Sequence, residues 1–231
     1  TTKSSAGMNA SQTKFQEAEG IKDSNDKFYE ESLKGGHGTN NPELLHYLVD
    51  NSASAIDWLD SMGITLSNLT TTGGMSEKRT HRPADGSAVG EYLVAGLLRN
   101  ASEREIPLFV NAVVNKVNEK DGKVTGVNVT IDGQEKTIAS NAVVLTTGGF
   151  GANMEMVTEY KPELNGFVTT NQKGSTGDGI VLAKEIGAAT VDMGEIQIHP
   201  TVEQSTSTLI SESVRGEGAI LVNQDGKRFF N

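Results

Sequence analysis

Two clusters in this sequence carry residue types suited to chemistry. The first is Gly148-Gly149-Phe150-Gly151, which follows the apolar run Ala142-Val143-Val144-Leu145-Thr146-Thr147. Glycines that end a buried strand leave backbone N–H groups open at the carboxyl edge of a sheet, where open α/β sheets bind nucleotides. A tight turn with no ligand would read the same way. The dinucleotide fingerprint Gly-x-Gly-x-x-Gly is incomplete: Gly149-x-Gly151 lacks its third glycine, and Leu182 stands where the third would follow Gly177 and Gly179. The second cluster is Glu212 with Arg215, three positions apart and facing one another if helical. An arginine, with a pKa above ~12, donates a proton only if it is promptly reprotonated, and a carboxylate bonded to it can do that. The same two residues also read as a surface ion pair of little worth. His199, before Pro200, reads equally as a turn residue. His37 and His46 read as structural or solvated, and His81-Arg82-Pro83 as support for a loop. The four histidines lack metal-site spacing and cysteine is absent, so no metal is expected.

The elements that must position these groups are marked by caps and periodicity. Ser24 caps a modest helix through Phe28 and Leu33 that stops at Gly35-Gly36, the one helix expected in the polar first 35 residues. Asn41-Pro42 opens a longer helix with Leu45, Leu48, Val49, Ile56, Leu59 and Met62 on one side and Trp58 in core or interface. After the Thr70–Gly74 loop and Thr80-His81-Arg82-Pro83, a third helix runs through Tyr92, Leu93, Leu97 and Leu98. The period then changes to that of strands. Leu108 to Val117, Val124 to Ile131 and Glu135 to Ile138 read as a meander with turns at Asp121-Gly122 and Asp132-Gly133. Ala142 to Thr147, apolar on both faces, reads as a buried parallel strand. A helix from Asp178 to Ile186, an extended stretch from Val191 to Pro200, a polar turn at Gln204 to Thr208 and a hairpin around Asp225-Gly226 complete the pattern.

With 231 residues the chain makes one domain, or one and part of a second. Its 20 basic and 30 acidic residues leave a net charge of −10, which argues against a nucleic-acid or anionic-membrane partner. No apolar run approaches the roughly 20 residues of a membrane span.

Several motifs occur together in one order: Ala6-Gly7-Met8-Asn9-Ala10, Thr80-His81-Arg82-Pro83, Ala142 to Phe150, Gly177-Asp178-Gly179, Ile198-His199-Pro200-Thr201, and Glu212-Ser213-Val214-Arg215-Gly216 with Ala219 to Asn223. In this combination the chain resembles, from Thr1 to Asn231, the flavoprotein subunit of the soluble fumarate reductase and flavocytochrome c family, which includes urocanate reductase. The resemblance implies an α/β fold: a partial doubly wound FAD-binding domain over residues 1–194, with an antiparallel insertion near 107–140, and the beginning of a capping, substrate-binding domain over 195–231. It also implies an internal fragment, with a first strand and glycine loop before Thr1 and half the active site after Asn231.

FAD is the implied cofactor. Thr1, Ala6, Gly7, Val114, Thr147, Gly148 and Asp178 match cofactor-contacting positions; Ala6 replaces a glycine usual in the family. His199 matches a histidine that binds a substrate carboxylate. Ser211 and Glu212 match a substrate-contacting Thr-Glu pair, and Glu212 with Arg215 matches a proton-delivery chain. The implied reaction is reduction of an α,β-unsaturated carboxylate, fumarate to succinate, by hydride transfer from flavin N5. Its implied partners are a dicarboxylate or acrylate substrate and the remaining parts of the same polypeptide. Alternatives are reduction of urocanate or another acrylate, and a non-catalytic flavin-binding or interaction module. The fragment alone is expected to be inactive, and neither electron donor nor compartment is fixed by the residues.

Overall fold

The computed structural model describes residues 2–210, 214 and 218–229. The chain forms two compact units, Thr1–Pro107 and Leu108–Asn231.

In the first unit, α1 (Lys14–Ala18) begins with a capping box: Thr13 Oγ1 accepts the Gln16 N–H while the Gln16 side chain accepts the Thr13 N–H. This helix was not expected, although Thr-x-x-Gln is its signature. Ser24 caps α2 (Asn25–Gly35), and Asn41 caps α3 (Pro42–Ser61) by accepting the Leu44 N–H at 3.1 Å. The buried line of α3 is Val49, Ser52, Ile56 and Leu59. Leu48, expected on that side, is 56% exposed, because one residue before Val49 lies about 100° around the helix. Trp58 is likewise exposed and stands outside the core. Ile56 and Leu59 pack with Ala10, Ile64, Leu66 and Val89, the last from α4 (Val89–Glu103). Three short strands, β1 (Met8–Asn9), β2 (Asn68–Thr70) and β3 (Thr80–Arg82), form an antiparallel sheet in the order β1-β3-β2, with Met8 and Leu69 both opposite His81.

In the second unit the expected meander is present as β4 (Ala112–Lys120), β5 (Lys123–Ile131) and β6 (Gln134–Ala139). Its turns have positive φ at Asp121-Gly122 and Asp132-Gly133, as two-residue hairpins require. The first strand starts at Ala112 rather than Leu108. Ala112 pairs with Ile131, after which β5 turns away, so Leu108 to Asn111 have no strand to join. Ala142 to Thr147 departs from expectation: it belongs to none of the sheets and, apart from half-buried Val143, is exposed, Val144 at 83%. A parallel strand buries both faces only between neighbours, and every strand pairing among the described residues is antiparallel.

Two elements beyond the expected set follow: α5 (Met154–Tyr160), capped by Asn153, and a 3-10 turn at Pro162–Leu164. Helix α6 (Asp178–Glu185) opens at Gly177 as expected. Val191 to Pro200 runs without pairing to β7 (Val202–Glu203), which turns back into β8 (Thr208–Leu209). Near the C-terminus the hairpin contributes one bridge, Val222 with Arg228. Among the described residues no helix is long and apolar enough to cross a membrane, and no cluster of His, Asp and Glu is arranged to hold a metal.

Candidate functional site

In the second unit, the residues expected at the cofactor gather where the run Ala142 to Thr147 meets α6. Thr147 Oγ1 lies so near Gly179 that a Cβ there would stand 2.1 Å from it, so a side chain at 179 would expel the threonine. Asp178, the first residue of α6, accepts a hydrogen bond from Thr176 Oγ1 at 2.9 Å. The loop after Gly148 is laced to the loop before α6: Ala152 N–H donates to Ser175 O at 2.9 Å and Asn153 Nδ2 to Thr176 O at 3.0 Å. Val114 sits in β4 opposite Val129, and β4 touches α6.

His199 is half-buried between two cavities of about 250 and 600 Å³. Gly151, Thr170, Asn171, Ile196 and Gln197 line both with it. Apolar residues, among them Val157, Leu164 and Phe167, floor the smaller one. His199 Nδ1 lies 3.3 Å from the Thr201 amide nitrogen and 3.2 Å from its carbonyl oxygen, so either neutral tautomer finds a partner in Thr201 and the ring is oriented by it. The part played by Thr170 and Asn171 was not read from the sequence; their signal is the polar run Thr169 to Gln172 before the Gly177 turn.

In the first unit, Ala6 is exposed and Gly7 lies flat on β3, where an added Cβ would meet His81 O and Thr80 Cγ2 at 2.6 Å. Beneath this strand runs a buried polar network that the sequence reading missed. His81, fully buried, has Nδ1 2.7 Å from Arg79 O and Nε2 2.8 Å from Thr13 Oγ1. A carbonyl only accepts, so Nδ1 carries the proton and Nε2 accepts from the threonine hydroxyl. Burial lowers the His81 pKa against the raising effect of backbone hydrogen bonds with Arg79 and Met8, keeping the ring neutral. Burial also raises the Asp23 and Glu31 carboxyls, but hydrogen bonds reverse this. Asp23 is held below its ordinary value by Arg79, Gln16 and the Ser24 N–H, and Glu31 is brought to about 2 by Ser76 and Arg79. The remaining site expectations, Thr1, Ser211, Glu212 and Arg215, lie outside the described residues.

The second-unit cluster suits a flavin dinucleotide. The space over Gly149 is open for at least 4 Å around the place a Cβ would take. A hydroxyl at Thr147 and a carboxylate at Asp178 are the donor and acceptor types that ribose and adenine call for. Relatives agree over the whole length. A Klebsiella pneumoniae protein, NADH:fumarate oxidoreductase, is 57% identical over 232 residues, covering 100% of this chain and 25% of its own. The fumarate reductase (cytochrome) of Shewanella frigidimarina is 42% identical, covering 97% of this chain and 40% of its own. The structure of the open conformation of a flavocytochrome c3 fumarate reductase superimposes with a TM-score of 0.89 at 40% identity, over 98% of this chain and 41% of that one. The chain thus spans between a quarter and about two-fifths of the length of these relatives. The FAD binding domain family matches residues 1–231. With the glycine-bounded cleft, the donor set at α6 and this end-to-end match in agreement, the chain belongs to the FAD binding domain family and FAD is its cofactor.

Proposed function

We propose that this chain is an internal part of a flavin-dependent oxidoreductase that reduces an α,β-unsaturated dicarboxylate, fumarate to succinate. In this reading residues 1–194 belong to the FAD-binding domain and 195–231 begin the capping domain. The observation that carries it is that His199 lines two cavities in the unit that also holds the Thr147, Gly148 and Asp178 cluster, in a chain that aligns throughout with fumarate reductases. By likeness to the Klebsiella protein, whose name includes NADH, the reductant assigned is NADH.

Bound FAD, once reduced, would supply the hydride. The protein's own groups hold the other parts of the reaction. Ala6 and Gly7, which has no side chain, would leave the cofactor room beside the backbone; Val114, Thr147 and Gly148 would stand near its adenosine half, and Asp178 would contact it as well. His199, steadied by Thr201, clamps one substrate carboxylate, so that charge growing on the substrate is met by a fixed donor. By the resemblance, Ser211 and Glu212 would contact substrate, and Glu212 would restore the proton that Arg215 passes to the proton donor.

The test is fumarate reduction by the full-length protein with a reduced viologen dye, alongside the 231-residue chain alone. The full-length protein is expected to oxidise the dye and the chain alone is not. In the full-length protein, His199→Ala is expected to raise KM for fumarate by about tenfold or more while flavin content is unchanged. A full-length protein that holds flavin and reduces urocanate but not fumarate would move the assignment to that acrylate, and one that holds no flavin would end it.

A further inference from the structure

Arg79 is fully buried, and its guanidinium is held on several sides. Nε and Nη2 donate to the two oxygens of Asp23 at 2.7 and 2.6 Å, Nη1 donates to Glu31, and the Phe28 ring centre lies 5.1 Å from the guanidinium carbon. Met75 Sδ is 3.3 Å from Nη1. The Asp23 side chain is as buried as the arginine, and that of Glu31 is 19% exposed. Ion pairs this buried are often no more stabilising than apolar groups of equal volume, because desolvation offsets the attraction. Stability alone therefore does not account for them.

The arrangement of partners does. The carboxylates and the ring that hold the Arg79 side chain belong to α2 and the residue before its cap. The backbone of Arg79 faces the other way: its carbonyl accepts the Ala10 N–H at 3.0 Å and the His81 Nδ1–H at 2.7 Å. Thr80, the next residue, pairs with Asn9 and donates its hydroxyl to Asn9 Oδ1 at 2.7 Å. Arg82 Nη2 donates to Ser5 O at 3.3 Å, and Gly7 lies in contact with β3. Among the described residues β1 is an edge strand paired with β3 alone, and a further backbone tie of this segment is Ser4 O to Gly90 N–H.

We infer that Arg79 is a positioning residue for the cofactor: by anchoring the start of β3 to α2 it fixes where Ala6 and Gly7 stand, and so how tightly FAD is held and what surroundings its ring meets. The inference rests on the reading that Ala6 and Gly7 contact FAD.

The test uses the full-length FAD-loaded protein. The triple replacement Arg79→Met, Asp23→Leu, Glu31→Met removes the ions together and leaves no buried charge unpaired. It is expected to stay folded, with a lower melting point because the Gln16, Ser24 and Ser76 donors lose Asp23 and Glu31, and to bind FAD about tenfold more weakly, with altered visible circular dichroism of the bound flavin. Affinity within about twofold of the parent, with an unchanged flavin spectrum, would overturn the inference. Should the triple variant not fold, Thr80→Val removes one link of the same chain. It is then expected to weaken FAD binding and alter the flavin spectrum, and an unchanged result overturns the inference equally. Ala6→Phe, at an exposed side chain, separates the two layers of argument. If it leaves FAD binding untouched, the contact reading fails and this inference with it. If it weakens binding while the Arg79 set does not, the positioning role alone fails.

Discussion

Replacing Thr13 by valine keeps the shape of the side chain and removes one oxygen. That oxygen serves two partners. It accepts the Gln16 N–H at 3.2 Å as the cap of α1, and its hydrogen goes to His81 Nε2 at 2.8 Å. Loss of an N-cap costs about 0.5–2 kcal/mol. His81 is fully buried, so its bare nitrogen would have no water to turn to, and an unsatisfied buried acceptor costs a further ~1–3 kcal/mol. Since the methyl group stays, no cavity term is added, and the sum is about 1.5–5 kcal/mol. The assay is urea denaturation of the flavin-loaded protein, with amide hydrogen exchange at Gln16 and Glu17 as the local readout. In a His81→Phe background the acceptor is already gone, so Thr13→Val should cost only the cap portion, about 0.5–2 kcal/mol. Equal cost in both backgrounds would refute the hydrogen-bond assignment, and a cost under about 0.5 kcal/mol in the parent would refute the whole account.

Gly126→Ala is expected to destabilise the meander by about 3 kcal/mol or more, because φ is +143° and the new Cβ would sit 2.0 Å from Ile138 O; denaturant midpoints check it. Gly179→Ala is expected to displace Thr147 and weaken FAD binding by about tenfold, measured by quenching of flavin fluorescence on titration. Acid should act in two windows. His81 has a folded pKa below its ordinary 6.5, so the unfolded chain takes up the proton first and stability falls as pH drops below about 6.5, a slope that His81→Phe should abolish in melting curves. Glu31, near 2 in the fold against an ordinary 4.5, contributes stability above about 4.5 that is lost between there and 2; Glu31→Gln should flatten that limb.

What the sequence made legible is what neighbouring residues decide among themselves. Asn41-Pro42, Ser24 and the Asp121-Gly122 and Asp132-Gly133 pairs start helices or turn hairpins through contacts spanning a few residues, and the structure has them in place. The β1-β3-β2 sheet was not legible, since strands of two or three residues are too short to show a period and β1 is held by a partner some 70 positions away, Met8 by His81. The same distance hid the Arg79 network: Asp23, Glu31 and Arg79 look like ordinary surface charges until the chain brings them together. Ala142 to Thr147 failed for the opposite reason. An apolar run declares what a segment is able to bury without saying against what. At the candidate site, resemblance named Thr147, Gly148, Asp178 and His199. The contact of Thr147 with Gly179 and the hold of Thr201 on His199 emerged only from the fold.

The unpaired stretch Val143-Val144-Leu145, with Val144 bare, carries a solubility consequence. Branched side chains flank backbone groups with no ladder to join, so two copies of the polypeptide can satisfy one another edge to edge. Produced as these 231 residues, the material should associate more strongly as concentration rises, and a lysine in place of Val144 should keep it dispersed.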